Sequence, residues 1–279
     1  MAAYADLAGL KVGDGFPVRL MGAINVSPES FYKDSVAVTE DTLRSLAEQM
    51  ASEGADIIDV GAMSTAPYLT TAIPETEEIR RLTSAIRILR QVISLPISAD
   101  TTRSSVALAA MDVGAVVIND VSGFRGDPAM AELAARRADG VILMASETAA
   151  GATEPVRTVL SLLRQSCAIS DASGIRRDRV VLDPGIGFFR EANLSWELWD
   201  CELLRSLSEL RTLGRPILIG VSRKSFIGKV LERPDPANRL AGSLAATVVA
   251  VLNGAHIIRT HDVGATRDAI RMAEALRPV

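Results

Sequence analysis

Cysteine and histidine are scarce in this 279-residue chain, with two of each. Cys167 and Cys201 have neither the CxxC spacing of a metal or redox motif nor the density of a disulfide scaffold, so both are read as buried free thiols. His256 and His261 are too few for a His-rich zinc site. No apolar run approaches the roughly 18 residues of a membrane span. The opening MAAYADLAGLKVGDG lacks the basic region and apolar stretch of a secretory signal, and the expected location is the cytoplasm. No excess of positive charge exists either, because 30 Lys and Arg face 34 Asp and Glu for a net charge of −4. General attraction to nucleic acid or acidic membrane is thereby excluded, and an anionic ligand must be held by a few local cations. No Pro/Gly/Ser-rich linker divides the chain.

What is present is a periodic pattern. Hydrophobic residues make up 48% and charged residues 23%, a balance that supports a large buried core. Eight short apolar runs recur, at Val18–Ile24, Ile57–Val60, Ile97–Ala99, Val116–Ile118, Val141–Met144, Val180–Leu182, Ile217–Val221 and His256–Ile258. Between them lie segments with apolar residues three or four apart, such as Thr42–Ser52, Ser104–Asp112 and Met130–Arg137, which predict helices. Three junctions repeat one phrase: Gly54-Ala-Asp-Ile-Ile-Asp-Val, Gly114-Ala-Val-Val-Ile-Asn-Asp and Gly254-Ala-His-Ile-Ile-Arg-Thr. Each reads as a glycine that ends a helix in the left-handed conformation, followed by a strand buried on both faces of a parallel sheet. The pattern predicts a single (β/α)8 barrel domain over 1–279, with 1–17 as an N-terminal extension or short hairpin. An open doubly wound sheet shares the alternation and is the alternative.

In such a barrel the strand C-termini converge on one rim, where active sites sit. The predicted ends supply Asn25, Asp59, Asp100, Asn119, the region of Met144, Asp183, Ser222-Arg223-Lys224 and Arg259-Thr260-His261. Asp and Asn together can pair with a flat heterocycle that carries both N–H donors and C=O acceptors. The cationic end suits phosphate: Arg259 can grip its oxygens as a fork, His261 can add a hydrogen bond, and the helix after His261-Asp262 would aim its first N–H groups at the same anion. Taken singly, each Asp or Asn is equally well a helix N-cap, and Arg259 or His261 could form an ion pair with Asp262 or another carboxylate. The run Asp183-Pro-Gly-Ile-Gly-Phe-Phe lacks the third glycine of a dinucleotide loop. It reads as a tight βα loop that aims Asp183 inward and offers Phe188 or Phe189 to an aromatic partner.

At these residues the sequence resembles the dihydropteroate synthase family. The matching segments are Met21-Gly-Ala-Ile-Asn-Val-Ser-Pro-Glu-Ser-Phe, Gly54-Ala-Asp-Ile-Ile-Asp-Val-Gly, Ser98-Ala-Asp-Thr, Ile118-Asn-Asp, Asp183-Pro-Gly-Ile-Gly-Phe, Ser222-Arg-Lys-Ser-Phe-Ile-Gly and Arg259-Thr-His-Asp-Val. The resemblance implies a homodimeric barrel that joins 6-hydroxymethyl-7,8-dihydropterin diphosphate to 4-aminobenzoate and releases diphosphate. It implies that Asp100, Asn119, Asp183 and Lys224 hold the pterin with Met144 lining its pocket, and that Asn25, Arg259 and His261 bind the diphosphate, Asn25 beside a Mg²⁺ ion. Ser225, Phe188, Thr65 and Pro67 would meet the arylamine, and Lys224, Asp100, Asp183 and Arg259 would form the catalytic set. In the implied mechanism diphosphate leaves first and the arylamine attacks a pterin-methyl cation; cations and Mg²⁺ would favour the leaving group, and the Asp residues the positive ring.

Departures fall in the loops. Lys33 stands where the family has an acidic residue, Ala62-Met-Ser-Thr-Ala-Pro-Tyr lacks the family's Glu and Arg, and Ala145 replaces a common His. These loops resemble archaeal-type variants, and Lys33 and Tyr68 would suit a bulkier anionic amine, such as a ribosylated aminobenzene phosphate on the route to methanopterin. Two other readings remain at this point: a pterin-binding module of a corrinoid methyltransferase, and a non-catalytic binding protein. Retention of Ser222-Arg-Lys-Ser and Arg259-Thr-His favours the synthase, because diphosphate needs those cations.

Overall fold

The computed structural model describes residues 2–27, 39–63, 73–146 and 151–277. A hairpin, β1 (Tyr4–Leu7) and β2 (Leu10–Gly13), precedes eight parallel strands. These are β3 (Arg19–Asn25), β4 (Ile57–Gly61), β5 (Ile97–Asp100), β6 (Val117–Asp120), β7 (Gly140–Met144), β8 (Val180–Asp183), β9 (Leu218–Gly220) and β10 (Ile257–Thr260). From β3 to β8 each strand pairs with the next in sequence, β10 lies between β3 and β9, and a parallel bridge from Leu182 to Ile217 closes the seam. That closure excludes the open doubly wound sheet. Every predicted strand is present, shifted by a residue or two.

The connecting helices are α1 (Glu40–Ser52), α2 (Glu75–Val92), α3 (Ser104–Asp112), α4 (Met130–Arg137), α5 (Pro155–Ala172), α6 (Trp196–Arg205), α7 (Ser225–Val230), α8 (Leu240–Leu252) and α9 (Val263–Leu276). Two of the three segments predicted above match their helices end to end. The third, α1, starts two residues before Thr42, because its start is set by a cap rather than by the apolar period. Thr39 Oγ1 accepts from Thr42 N at 3.2 Å, and Thr42 Oγ1 accepts from Thr39 N at 3.1 Å. Gly54, Gly114 and Gly254, the glycines of the repeated phrase, have φ of +96°, +113° and +100°, a conformation that costs a residue with a Cβ.

Strand residues alternate between the helical shell and the barrel interior. Inside, the lower layer is apolar: Met21, Ile57, Val117, Ile142, Val181, Leu218 and Ile257 pack together and meet Ala5, Leu7 and Val12 of the hairpin. The hairpin therefore floors the barrel. His256 belongs to this end, where its Nδ1 accepts from Ile217 N at 3.0 Å, so one of the two histidines is structural. Cys167 and Cys201 are free thiols as expected, but half-buried rather than buried, packed against the edge of the hydrophobic core from α5 and α6. No described helix is long and apolar enough to cross a membrane.

Candidate active site

One layer above the apolar floor the interior turns polar. Strand register sets Asn25 beside Gly61, Gly61 beside Asp100 and Asp100 beside Asn119, while Met144 lies beside Asp183. Gly61 has no side chain to separate its neighbours. A Cβ there would lie 3.4 Å from Asn25 Oδ1 and 3.5 Å from Asp100 Oδ2, so these two oxygens share the space above it.

Asp59 sits lower and is fully buried. Its Oδ2 accepts from Asn119 Nδ2 at 3.1 Å and from Arg259 Nε at 2.7 Å, and Arg259 Nη2 reaches on to Asp100 Oδ2 at 3.2 Å. Two carboxylates thus share one guanidinium. Among the described residues Asp59 Oδ1, Asp100 Oδ1 and Ser98 Oγ are buried and find no hydrogen-bond partner within the protein. The sequence pattern marks Asp59 only as one rim residue among several, whereas the fold makes it the anchor of Arg259 and Asn119.

Burial and mutual repulsion tune these groups. Burial, followed by the charge of Asp59, pushes Asp100 up to about 8 against the opposing pull of Arg259. Burial also raises Asp183, opposed by Lys224 and by the Gly185 N–H, which donates to Asp183 Oδ1 at 2.8 Å. Lys224 is brought down to about 8 by burial, with Asp183 and Asp200 resisting. For Arg259 burial works against the charge, but Asp59 and Asp100 outweigh it and the pKa rises. His261, lowered to about 3 by burial and by Arg259, is a neutral imidazole whose Nδ1 lies 3.0 Å from Ser222 Oγ.

The β8 loop builds a second wall. Gly185 has φ +75°, and a Cβ on it would fall 2.1 Å from the Ala145 carbonyl oxygen, so only glycine fits. Gly187, at φ +87°, donates its N–H to Asp200 Oδ1 at 2.8 Å. Lys224 lies across this glycine, its Cδ 3.1 Å from where a Cβ would stand, and donates to the Ile186 carbonyl. Its ammonium is 5.1 Å from the Phe188 ring centroid. Phe188 is the aromatic that faces the mouth; Phe189 is buried and stacks on Trp199 with centroids 5.0 Å apart. Asp200, almost wholly buried and pushed up to about 6 by burial, lies off the strand ends that the sequence pattern marks. A signal existed, since Asp200 falls on the inward face of α6 that Trp199, Leu203 and Leu204 define.

Arg223, which the sequence placed on the rim, turns away from it. Its φ of +54° reverses the chain, and its guanidinium grips Asp262 at two points, 2.9 and 2.7 Å, and the carbonyls of Pro236 and Ala237. Asp262 is paired with Arg223, and Arg259 forms its ion pairs with two other carboxylates, Asp59 and Asp100, so the alternative of an ion-paired Arg259 is met, though not through Asp262. The expectation that the first N–H groups of α9 all face an anion also needs correction, because Gly264 N donates to Glu53 Oε2 at 2.8 Å. Thr65 and Pro67 of the arylamine set, with Lys33, Ala66 and Tyr68 of the altered loops, lie outside the described residues.

A closed parallel barrel with amide and carboxylate groups over an apolar floor, and Arg259, His261 and Lys224 at the ends of its last two strands, defines an enzyme that holds a flat heterocycle bearing an anionic group. Comparison with known proteins identifies which. The profile of the pterin binding enzyme family matches residues 21–261. Dihydropteroate synthase from Synechocystis is 38% identical over 264 residues, covering 92% of this chain and 89% of its own, and that from Escherichia coli is 34% identical, covering 92% and 91%. Among solved structures, the Xanthomonas albilineans dihydropteroate synthase with 4-aminobenzoic acid superposes with a TM-score of 0.88 at 35% identity over 100% of both chains. The Yersinia pestis enzyme, solved with a sulfonamide drug, does so at 0.88 and 32% identity over 98% of both. The chain belongs to the pterin-binding enzymes and, among them, to the dihydropteroate synthases, transferases of folate biosynthesis.

Proposed function

We propose that this enzyme joins 6-hydroxymethyl-7,8-dihydropterin diphosphate to 4-aminobenzoate: the bond from methylene carbon to diphosphate breaks first, the arylamine nitrogen then bonds to that carbon, and the nitrogen's surplus proton passes to the departing diphosphate or to water. Asp100, Asn119 and Asp183 pair with the edge of the ring, Lys224 and Met144 bound the same pocket, and Arg259, His261 and Asn25 receive the diphosphate. The observation that carries this assignment is the Asp59–Arg259–Asp100 cluster: it sets the cation that meets the leaving group directly against the carboxyl that meets the ring. Arg259 keeps its charge at every working pH, and as charge builds on the departing oxygens a fixed guanidinium favours that state. At the ring edge Asp183 in its ionised form would favour the cation left behind, whereas Asp100, pushed up to about 8, keeps a proton near neutral pH that it can donate to the ring.

Asn25 Oδ1, beside Gly61, is a hard oxygen donor of the kind that suits Mg²⁺, an ion that keeps several waters and takes further ligands from substrate phosphates. Such an ion would neutralise diphosphate charge.

A homodimer belongs to the same reading. On α8 the residues Ala241, Ala245, Val249 and Leu252 form an exposed apolar stripe at helical spacing, and Met272, Ala275 and Leu276 of neighbouring α9 are also exposed. Sedimentation should give twice the chain mass, and Val249→Glu should give the monomer.

Release of diphosphate that depends on both pterin diphosphate and arylamine tests the central proposal. Tight pterin binding without amine-dependent release would leave only a binding protein.

A further inference from the structure

Among the described residues Arg190 is a cation at the mouth to which the dihydropteroate synthase reading gives no role. Arg190 ends the β8 loop, half-buried, with its Nε donating to the Gly187 carbonyl at 3.1 Å and its Nη2 donating to Ser225 Oγ. Its guanidinium carbon lies 4.0 Å from the centroid of the Trp196 ring, at the start of α6. The loop carbonyl, the hydroxyl and the indole fix the guanidinium beside Ser225, next in sequence to Lys224.

The chemistry of the second substrate gives this position meaning. In a para-substituted arylamine the nitrogen and the acidic group lie at opposite ends of the ring. With the nitrogen at the pterin carbon and the ring against Phe188, the acidic group is carried outward, past Lys224. Lys224 is poorly suited to receive it, because the ammonium already donates to the Ile186 carbonyl and its charge is balanced by Asp183 and Asp200. Ser225 and Arg190 are arranged differently. A hydroxyl oxygen that accepts from a guanidinium has its own proton left to donate, so the Ser225 O–H and the Arg190 N–H groups can address one oxyanion together.

We propose that Arg190, braced by Trp196 and bonded to Ser225, is the specificity-determining residue that reads the anionic substituent of the arylamine. The proposal rests on the synthase reading. It assigns the ligand chemistry, an oxyanion on an aromatic ring, whether a carboxylate or a phosphorylated group supplies it.

The experiment compares three amines: 4-aminobenzoate, its neutral isostere 4-aminobenzamide, and the dianionic 4-aminophenylphosphonate. Each is assayed by arylamine-dependent diphosphate release with the full chain and with Arg190→Gln and Arg190→Lys. Loss of a charge-assisted contact should raise KM for the anionic amines ~10- to 100-fold in Arg190→Gln with a smaller change in kcat. The amide should change little, and Arg190→Lys should recover part of the loss. The unsubstituted enzyme's preference between carboxylate and phosphonate identifies the source of the oxyanion. Equal losses on the amide and the anions in Arg190→Gln would show a merely structural brace and overturn the assignment, as would an unsubstituted enzyme that uses all three amines alike. No release by the unsubstituted enzyme with any amine would instead overturn the synthase reading, and this inference with it.

Discussion

Asp59 and Arg259, 200 positions apart in the chain, meet through a 2.7 Å hydrogen bond in the barrel interior. The carboxylate is fully buried, and the guanidinium it holds extends to Asp100. Removing one member of a buried pair leaves an uncompensated charge, which commonly costs about 3–5 kcal/mol. Asp59→Ala should therefore destabilise the protein by an amount of that order in urea unfolding and release Asn119 and Arg259 together.

Arg259→Ala carries a related expectation. Because Arg259 serves two carboxylates, the variant should lose stability as well as affinity, and the diphosphate ester of the pterin should suffer more than the bare pterin. Calorimetry with both ligands reads the difference; equal losses would mean that Arg259 acts only on the barrel.

The position of Lys224, at about 8, predicts an alkaline limb in kcat/KM. As pH rises through that value the ammonium loses its proton, and with it the charge that faces Asp183. In Asp183→Asn the carboxylate that holds the ammonium's pKa up is gone, so the titration should move to lower pH. Isotope-labelled lysine followed by NMR over pH 6–10 reports it directly.

Asp200 links pH to stability. Its carboxyl titrates near 3.8 when exposed and at about 6 in the fold, raised mainly by burial. Between those values the native state holds more protons than the unfolded one, so this group's stabilising contribution is complete below pH 3.8 and is lost as pH rises to about 6. Asp200→Asn keeps an oxygen for the Gly187 N–H but cannot titrate. Relative to the native enzyme, the variant should gain up to roughly 3 kcal/mol between pH 4 and pH 7. A pH-independent difference in urea midpoints would contradict this.

Gly185 leaves no room for a methyl group, because the obstructing atom is a backbone carbonyl oxygen at 2.1 Å and φ is +75°. Gly185→Ala should displace the loop that positions Asp183 and Phe188 and weaken pterin binding. At the other end of the barrel, Leu7→Ala opens a cavity in the floor and should cost about 2–5 kcal/mol with KM unchanged. The contrast tests whether floor and mouth are independent.

The strand ends were legible because the pattern that reveals them is local. Alternation along a strand and the 3.6-residue period of a helix follow from backbone geometry, and the glycines at 54, 114 and 254 mark where one becomes the other. From these alone Asn25, Asp100, Asn119, Asp183 and Arg259 could be placed at one mouth, where the structure puts them.

Which of these side chains touch one another was decided only by closure of the barrel. Register and seam set the depth of each residue, so Asp59 became a buried anchor below the rim rather than a further rim carboxylate. Neighbours in sequence were also separated: Phe188 faces the mouth while Phe189 is buried against Trp199, and Arg223 turns to Asp262 while Lys224 crosses Gly187. The physical reason is that periodicity fixes the direction of a side chain relative to its own backbone, whereas its partners depend on how elements far apart in the chain are brought together, and that is settled by packing the whole.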